Sequence, residues 1–233
     1  MTHVLIAYDG SPISATAVRA AAILFPAARA SVAVVPSEPT VRIGTAVPML
    51  PTMSPAAVRQ AIDELAAEAR RQADETAGQA VEQARALGLD AEAVNVRPSA
   101  PAWAALLDAA HRLGADVLIC GTRGRGAFTR ALLGSTSSSL LHSTDVPLLV
   151  VPDGGGALDG PVVAAFDGSE GATRAIQVAG RLLTGRAAVV VHGWSHCPAV
   201  AWRHARMRPE HRSTTSTRSP RTSTKRSRPV RRR

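Results

Sequence analysis

The 233-residue chain is long enough for one α/β domain of about 150 residues and part of another. Aromatic residues make up only 3% of it, which excludes an aromatic core and favours close-packed layers of Ala, Val and Leu. The net charge of +9 is confined to one end: residues 1–202 contain 15 Arg and 17 acids (−2), and residues 203–233 contain 12 basic groups and one acid (+11). The folded part is therefore nearly neutral, and a nucleic-acid-binding role would have to act through the tail.

The chain opens with a strand, a turn and a helix. Residues 4–8 form a continuous apolar run of strand length, and residues 9–12 read Asp-Gly-Ser-Pro. The serine of this turn can cap a helix and the proline suits its first turn, so a helix is predicted over residues 15–25. Residues 31–35 are predicted to be a second buried strand, and the three elements make a right-handed βαβ unit.

The elements that follow continue this alternation. Residues 36–53 carry four prolines and are predicted to form a long loop, either a functional lid or a plain surface excursion. A long helix with one apolar stripe opens at Ser54 and ends at Gly88, and Ser99 is predicted to cap a helix that ends at Gly114. The remaining predicted elements are strands at 89–96, 116–120 and 146–151 and a short helix at 135–142.

Five βα repeats without a hairpin signal predict a doubly wound parallel sheet. In such sheets, ligands bind outside the carboxyl ends of the strands, where the winding direction reverses. The fourth strand and the short helix enclose Gly121-x-x-Gly124, nine further residues and Gly134-Ser135. A glycine loop that feeds a helix N-terminus can hold an anion, because free backbone N–H groups converge there. The loop lacks the Lys-Ser/Thr pair of a Walker A motif.

Together with Asp9-Gly10-Ser11 after the first strand, this spacing resembles the universal stress protein family, in its ATP-binding branch, over about residues 3–152. The resemblance implies the strand order 3-2-1-4-5, with ATP over the gap between strands 1 and 4. It also implies that Mg²⁺ can accompany the nucleotide, and that the strand at 146–151 is the edge through which a homodimer forms. By resemblance, the base and ribose would contact Asp9 and the backbone of Val35, and the phosphates would contact Gly121, Arg123, Gly124, Gly134, Ser135, Thr136 and Ser137.

The residues leave alternatives open. Asp9 can equally cap the following helix, and the glycines can form turns in a loop that binds no ligand. No acid–base pair, nucleophile–His arrangement or metal cluster is apparent near the loop. We therefore expect a regulatory ATP-binding protein with at most slow hydrolysis; the alternative is an ATP hydrolase or adenylyl-transfer enzyme of the same fold.

Residues 162–191 repeat residues 4–33 at a constant offset of 158 positions. The interpretation is a tandem arrangement: a first domain at 1–153, a linker at 154–161, and a partial second domain at 162–195 that stops after one βαβ unit. Asp167 matches Asp9, but no glycine loop follows it, so no second nucleotide site is predicted.

Residues 196–233 are rich in Arg, Ser, Thr and Pro and cannot bury a core, which predicts disorder. The tail is either a basic segment that binds nucleic acid or the product of a reading-frame shift in a GC-rich gene, and the break within the repeat favours the second.

The two cysteines, Cys120 and Cys197, lie far apart without metal-ligand spacing, and Cys120 is interpreted as a small core residue. Residues 3–7 are too short for a secretory signal, and no apolar run approaches membrane length. We expect a reduced, cytoplasmic protein.

Overall fold

The computed structural model describes residues 1–36, 54–96, 101–122, 133–154 and 158–193. The chain divides into two units, residues 1–193 and 194–233. The predicted tail and nearly all of the predicted proline-rich loop lie outside the described residues. None of the helices in the described ranges is both long enough and apolar enough to cross a membrane.

The first domain is a five-stranded sheet in which every neighbouring pair is parallel and the strand order is β3-β2-β1-β4-β5. The predicted fold class and strand order are thereby confirmed. The strands are β1 (His3–Ala7), β2 (Arg29–Val34), β3 (Asp90–Asn95), β4 (Val117–Gly121) and β5 (Leu148–Val151), and the helices are α1 (Pro12–Leu24), α2 (Pro55–Ala86), α3 (Ala102–Leu113) and α4 (Ser135–Ser143).

The core has two aliphatic layers, one on each face of the sheet. Successive strand residues point to opposite faces, so Val4 and Ile6 pack with alanines of α1 and α2, whereas Leu5 packs with α3 and α4. Small alanines on the buried helix faces let the helices approach the sheet closely. Trp103 packs against the second layer, as predicted.

Local hydrogen bonds determine where the elements begin. The Ser11 hydroxyl accepts from the Ser14 amide at 3.2 Å and α1 begins at Pro12, so the predicted roles of Ser11 as the cap and of Pro12 in the first turn are confirmed. β5 begins at Leu148 rather than at 146, because the amide of Val146 donates to the Thr144 hydroxyl at 3.1 Å and Pro147 has no N–H. The predicted cap Ser99 lies outside the described residues.

The second segment contains β6 (Val162–Phe166), α5 (Glu170–Leu182) and β7 (Ala188–His192), and β6 pairs with β7 in parallel. Its register copies that of the first domain: adding 158 to the pair Val4↔Ala30 gives the observed pair Val162↔Ala188. The helix starts also agree, because Ser169 caps α5 through the Ala172 amide as Ser11 caps α1 through Ser14.

Candidate functional site

The candidate site lies at the carboxyl edge of the five-stranded sheet. β1 has β2 on one side and β4 on the other, so the winding direction reverses between β1 and β4. Ile6 of β1 pairs with Ile119 of β4. Asp9 lies three residues after Ile6, and Gly121 lies two residues after Ile119. The structure therefore brings Asp9 and the start of the glycine loop to the same edge, where sheets of this type bind ligands.

The turn that carries Asp9 is held by its own side chain. One Asp9 carboxylate oxygen accepts from the Ser11 amide at 3.0 Å, and Gly10 adopts φ 77°, a conformation that favours glycine. Asp167 accepts from Ser169 at 2.9 Å in the second segment. The bond is thus a property of the repeated turn, and the helix cap proper is Ser11 rather than Asp9.

Val35 reaches the same edge from β2. The Tyr8 amide donates to the Ala33 carbonyl at 2.9 Å, which extends the pairing of β1 with β2 one residue beyond Ala7. Val35 follows two residues after Ala33 and is half-buried against the layer under α3 and α4. Its backbone is therefore close to the turn that carries Asp9.

Thr122 joins the two ends of the glycine loop. Its amide donates to the Val151 carbonyl at 2.9 Å, and its carbonyl accepts from the Gly134 amide at 2.6 Å and from the Ser137 hydroxyl at 2.9 Å. The chain therefore leaves the sheet at Gly121 and returns to the same point at Gly134. Sequence reasoning missed Thr122, because its role depends on backbone groups that carry no residue signature. Arg123 and Gly124 lie outside the described residues.

The amino end of α4 points at this edge without a side-chain cap. Gly134 is the N-cap residue, with φ −75° and ψ 170°, and its position supplies no capping side chain. These dihedral angles are open to any residue, so the backbone conformation does not require a glycine.

The three residues that follow Gly134 differ in what they offer. Ser135 is exposed and Thr136 is half-buried, whereas Ser137 is buried and its hydroxyl donates to the carbonyls of Thr122 and Gly134. The Ser137 hydroxyl is therefore used within the protein, and its amide is the group directed to the helix end. The amides of all three residues belong to the first helical turn, which has no intrahelical acceptor.

These groups form a neutral, donor-rich cradle. Amide N–H groups and the positive end of the α4 dipole suit phosphate oxygens. Cys120 precedes Gly121, but burial raises the pKa of its thiol to about 11; this residue belongs to the core, as predicted. In the ranges that the structure describes, no three His, Cys, Asp or Glu side chains are grouped to hold a metal ion.

Comparison with known proteins identifies the fold and its relatives. Residues 1–152 match the sequence model of the Universal stress protein family. The chain is 46% identical over 67 residues to a universal stress protein of Mycolicibacterium smegmatis, covering 28% of this chain and 22% of the relative. It is 34% identical over 92 residues to one of Mycobacterium bovis, covering 37% of this chain and 31% of the relative.

A crystal structure of a universal stress protein from Archaeoglobus fulgidus has a similar fold, with a TM-score of 0.59 at 21% identity, and the match covers 83% of this chain and 68% of that one. Residues 1–152 are 152 of 233 residues, or about 65%, so the structural likeness extends beyond the family match. The sequence matches, in contrast, span less than a third of the length of either curated relative.

Proposed function

Because the chain belongs to the universal stress protein family, we propose that its first domain binds a nucleotide, ATP in the first instance, at the carboxyl edge of β1 and β4. The observation that carries this proposal is the uncapped start of α4, which Thr122 fastens to the end of β4. A helix start held rigidly at a strand end presents its N–H groups without a reorganisation cost, which favours anion binding.

The residues divide between the two ends of the nucleotide. Asp9 and the Val35 backbone would contact the ribose and the base, since both lie at the β1–β2 side of the edge. The phosphates would lie over the glycine loop, from Gly121 through Arg123 and Gly124, and at the start of α4, from Gly134 to Ser137. Mg²⁺, where present, would be held mainly by phosphate oxygens, as is usual for this ion.

We propose a regulatory role for this binding, in which nucleotide occupancy changes the contacts of the protein under stress. The enzymatic alternative, hydrolysis of ATP or transfer of its adenylyl group at the same site, differs in one measurable property. A regulatory site turns ATP over at most slowly, whereas a typical enzyme turns over about 1–1000 times per second.

Calorimetric titration of the full chain with ATP tests the site. Gly134→Val places a branched side chain beside the first turn of α4, and we expect the affinity to fall at least about tenfold, the loss of one charge-assisted hydrogen bond. Gly78→Val is the matched control, because Gly78 is exposed on α2 and a Cβ there meets nothing within 4 Å. Equal affinities for the wild type and Gly134→Val would contradict the assignment.

We also propose that two copies of the first domain pair through β5. Thr122 and Leu118 donate to the carbonyls of Val151 and Pro147, so the odd-numbered residues of β5 bond to β4. The backbone groups of Leu148 and Val150 therefore face the other edge, where no strand among the described residues pairs with them. An unpaired edge of this kind is a template for a strand of a second copy.

A further inference from the structure

The second segment presents a strand edge that no strand among the described residues covers. β7 pairs with β6 on one side and is exposed along its whole length. The Val162 amide donates to the Ala187 carbonyl at 2.8 Å, so the odd-numbered residues of β7 bond to β6. The N–H and C=O groups of Ala188, Val190 and His192 therefore point to the other side of the strand, where they form the β7 edge.

In the first domain the counterpart of the β7 edge is paired. β7 corresponds to β2 at the offset of 158 positions, and β2 lies between β1 and β3. Val32 of β2 is fully buried, whereas its counterpart Val190 is half-exposed. The β7 edge thus repeats the sequence position of an inner strand and is open to a further strand.

Other open edges of the molecule carry groups that oppose the addition of a strand, such as charges and prolines. β3 carries the carboxylates of Asp90 and Glu92. The free edge of β6 begins at Pro161, which has no N–H to donate. β7 reads AVVVH and contains no acidic side chain, lysine, arginine or proline. Its edge is therefore unprotected and uncharged apart from one histidine.

An identical strand fits the β7 edge. A two-fold axis normal to the sheet brings the same edge of two copies together in antiparallel orientation. With the axis at Val190, this residue lies opposite its own copy, and Ala188 lies opposite His192 of the second copy. These three pairs exchange about six main-chain hydrogen bonds. No pair of like acidic or basic groups meets in this register.

The valines of β7 favour the same register. Val189 and Val191 are level with Val163 and Ala165 of β6, on the face of the strands that corresponds to Leu5 in the first domain. Val163, Val189 and Val191 are about half exposed or more. Cross-strand pairs of β-branched side chains stabilise a sheet. Pairing Val189 with Val191 of the second copy therefore removes part of this apolar surface from water.

The dimensions of β7 determine how strong and how extensive the association is. Specific interfaces usually bury at least about 1,000 Å² in total, and a strand of five residues spans only about 17 Å. We therefore expect weak, reversible association. The resulting four-stranded sheet ends on both sides at the β6 edge that Pro161 protects, so the assembly stops at two copies.

We propose that the β7 edge is a self-association site at which two copies of this chain pair antiparallel about Val190. The proposal does not depend on the pairing through β5, because it uses other residues and another sheet.

Charged substitutions at residue 190 test the register, with sedimentation velocity of the full chain over a range of concentrations. We expect a reversible dimer for the wild type. Val190→Lys and Val190→Glu should each raise the dimer dissociation constant at least about tenfold, because like charges meet on the axis. An equimolar mixture of the two variants should recover most of the association, because lysine then faces glutamate.

Val163→Lys is the matched control, since it adds the same charge to an exposed valine of β6. In the paired sheet its two copies lie about 14 Å apart, beyond the screening length of about 8 Å, so the dissociation constant should change less than about twofold. A contact elsewhere, including one at β5, would have the same strength in the two separate variants and in their mixture. A monomeric wild type, undiminished association of Val190→Lys, or a mixture as weak as the separate variants overturns the proposal.

Residue-resolved hydrogen exchange of the wild type tests the same edge without a substitution. The amides of Ala188, Val190 and His192 should exchange faster as the protein is diluted, because they are bonded only in the dimer. The amides of Val189 and Val191 donate to β6 and should stay protected at every concentration. An equal response of the two sets of amides to dilution overturns the proposal, even if a substitution at residue 190 unfolds the segment.

Discussion

The turn between β1 and α1 offers a direct test of the reasoning about the Asp9 side of the site. Gly10 has φ 77°, and an L-residue with a Cβ is about 1–2 kcal/mol less stable in the left-handed region than glycine. The Ser11 amide must still reach Asp9 at 3.0 Å, so Gly10→Ala cannot relax by rotating φ without breaking that bond. For a domain of about 150 residues, 1 kcal/mol corresponds to about 2–4 °C. We therefore expect the melting temperature to fall by about 2–8 °C.

Differential scanning fluorimetry and urea unfolding of three proteins measure this effect: the wild type, Gly10→Ala and Gly10→Asn. Asparagine adopts the left-handed region more readily than alanine, so Gly10→Asn should recover much of the lost stability although its side chain is larger. If the two variants lose the same stability, or if asparagine is worse, a steric contact rather than φ controls this turn, and the argument from backbone conformation is refuted.

Two further predictions concern the α4 side of the site and the sheet beneath it. Ser137→Ala should lower the free energy of unfolding by about 1 kcal/mol, because it removes the buried hydroxyl that donates to the Thr122 carbonyl. Ser138→Ala is the control in the same thermal assay, since the Ser138 side chain has no hydrogen-bond partner among the described residues. Equal melting temperatures for the two variants would contradict a structural role for the Ser137 hydroxyl. Burial raises the pKa of Cys120 from 9.0 to about 11, so its contribution is complete below pH 9 and about 2–3 kcal/mol is lost as the pH rises to 11. Between pH 9 and pH 11, the free energy of unfolding in urea should fall less for Cys120→Ala than for the wild type. If both proteins lose the same free energy over this range, the Cys120 thiol is not the cause of the loss.

Elements whose signals are local could be predicted from the sequence. The strands follow from short apolar runs, and Ser11 and Ser54 cap the helices that they precede. The strand order, in contrast, was inferred from resemblance to a family, because periodicity identifies strands without stating which of them are neighbours. The start of β5 was placed two residues too early: the competing hydrogen bond from Val146 to Thr144 is not visible in a hydrophobicity pattern.

The candidate site could be predicted only in part for a related reason. Asp9, Gly121 and Gly134 have recognisable residue types at recognisable spacing, and the structure brings their elements to one edge. The use of the Ser137 hydroxyl inside the protein and the bridging role of Thr122 depend on tertiary contacts. A serine at a helix start has the same sequence appearance whether its hydroxyl faces a ligand or a carbonyl.

The two copies of the βαβ unit show that the elements packed around a strand, and not the sequence of the strand itself, determine how deeply it is buried. Leu5 is fully buried, whereas Val163, its counterpart 158 positions later, is 66% exposed; Val32 is fully buried and Val190 is 54% exposed. In the first domain α2 and α3 contribute to the layers on the two faces of the sheet.

The second segment buries little apolar surface of its own, because α5 has no buried residue and β7 is exposed along its whole length. The persistence of the second segment must therefore come largely from its docking on the first domain through Leu182, Leu183 and Arg186. Arg186→Met should accordingly speed the hydrogen exchange of residues 170–192, because it removes the bond to Ile23, while the melting of the first domain changes little.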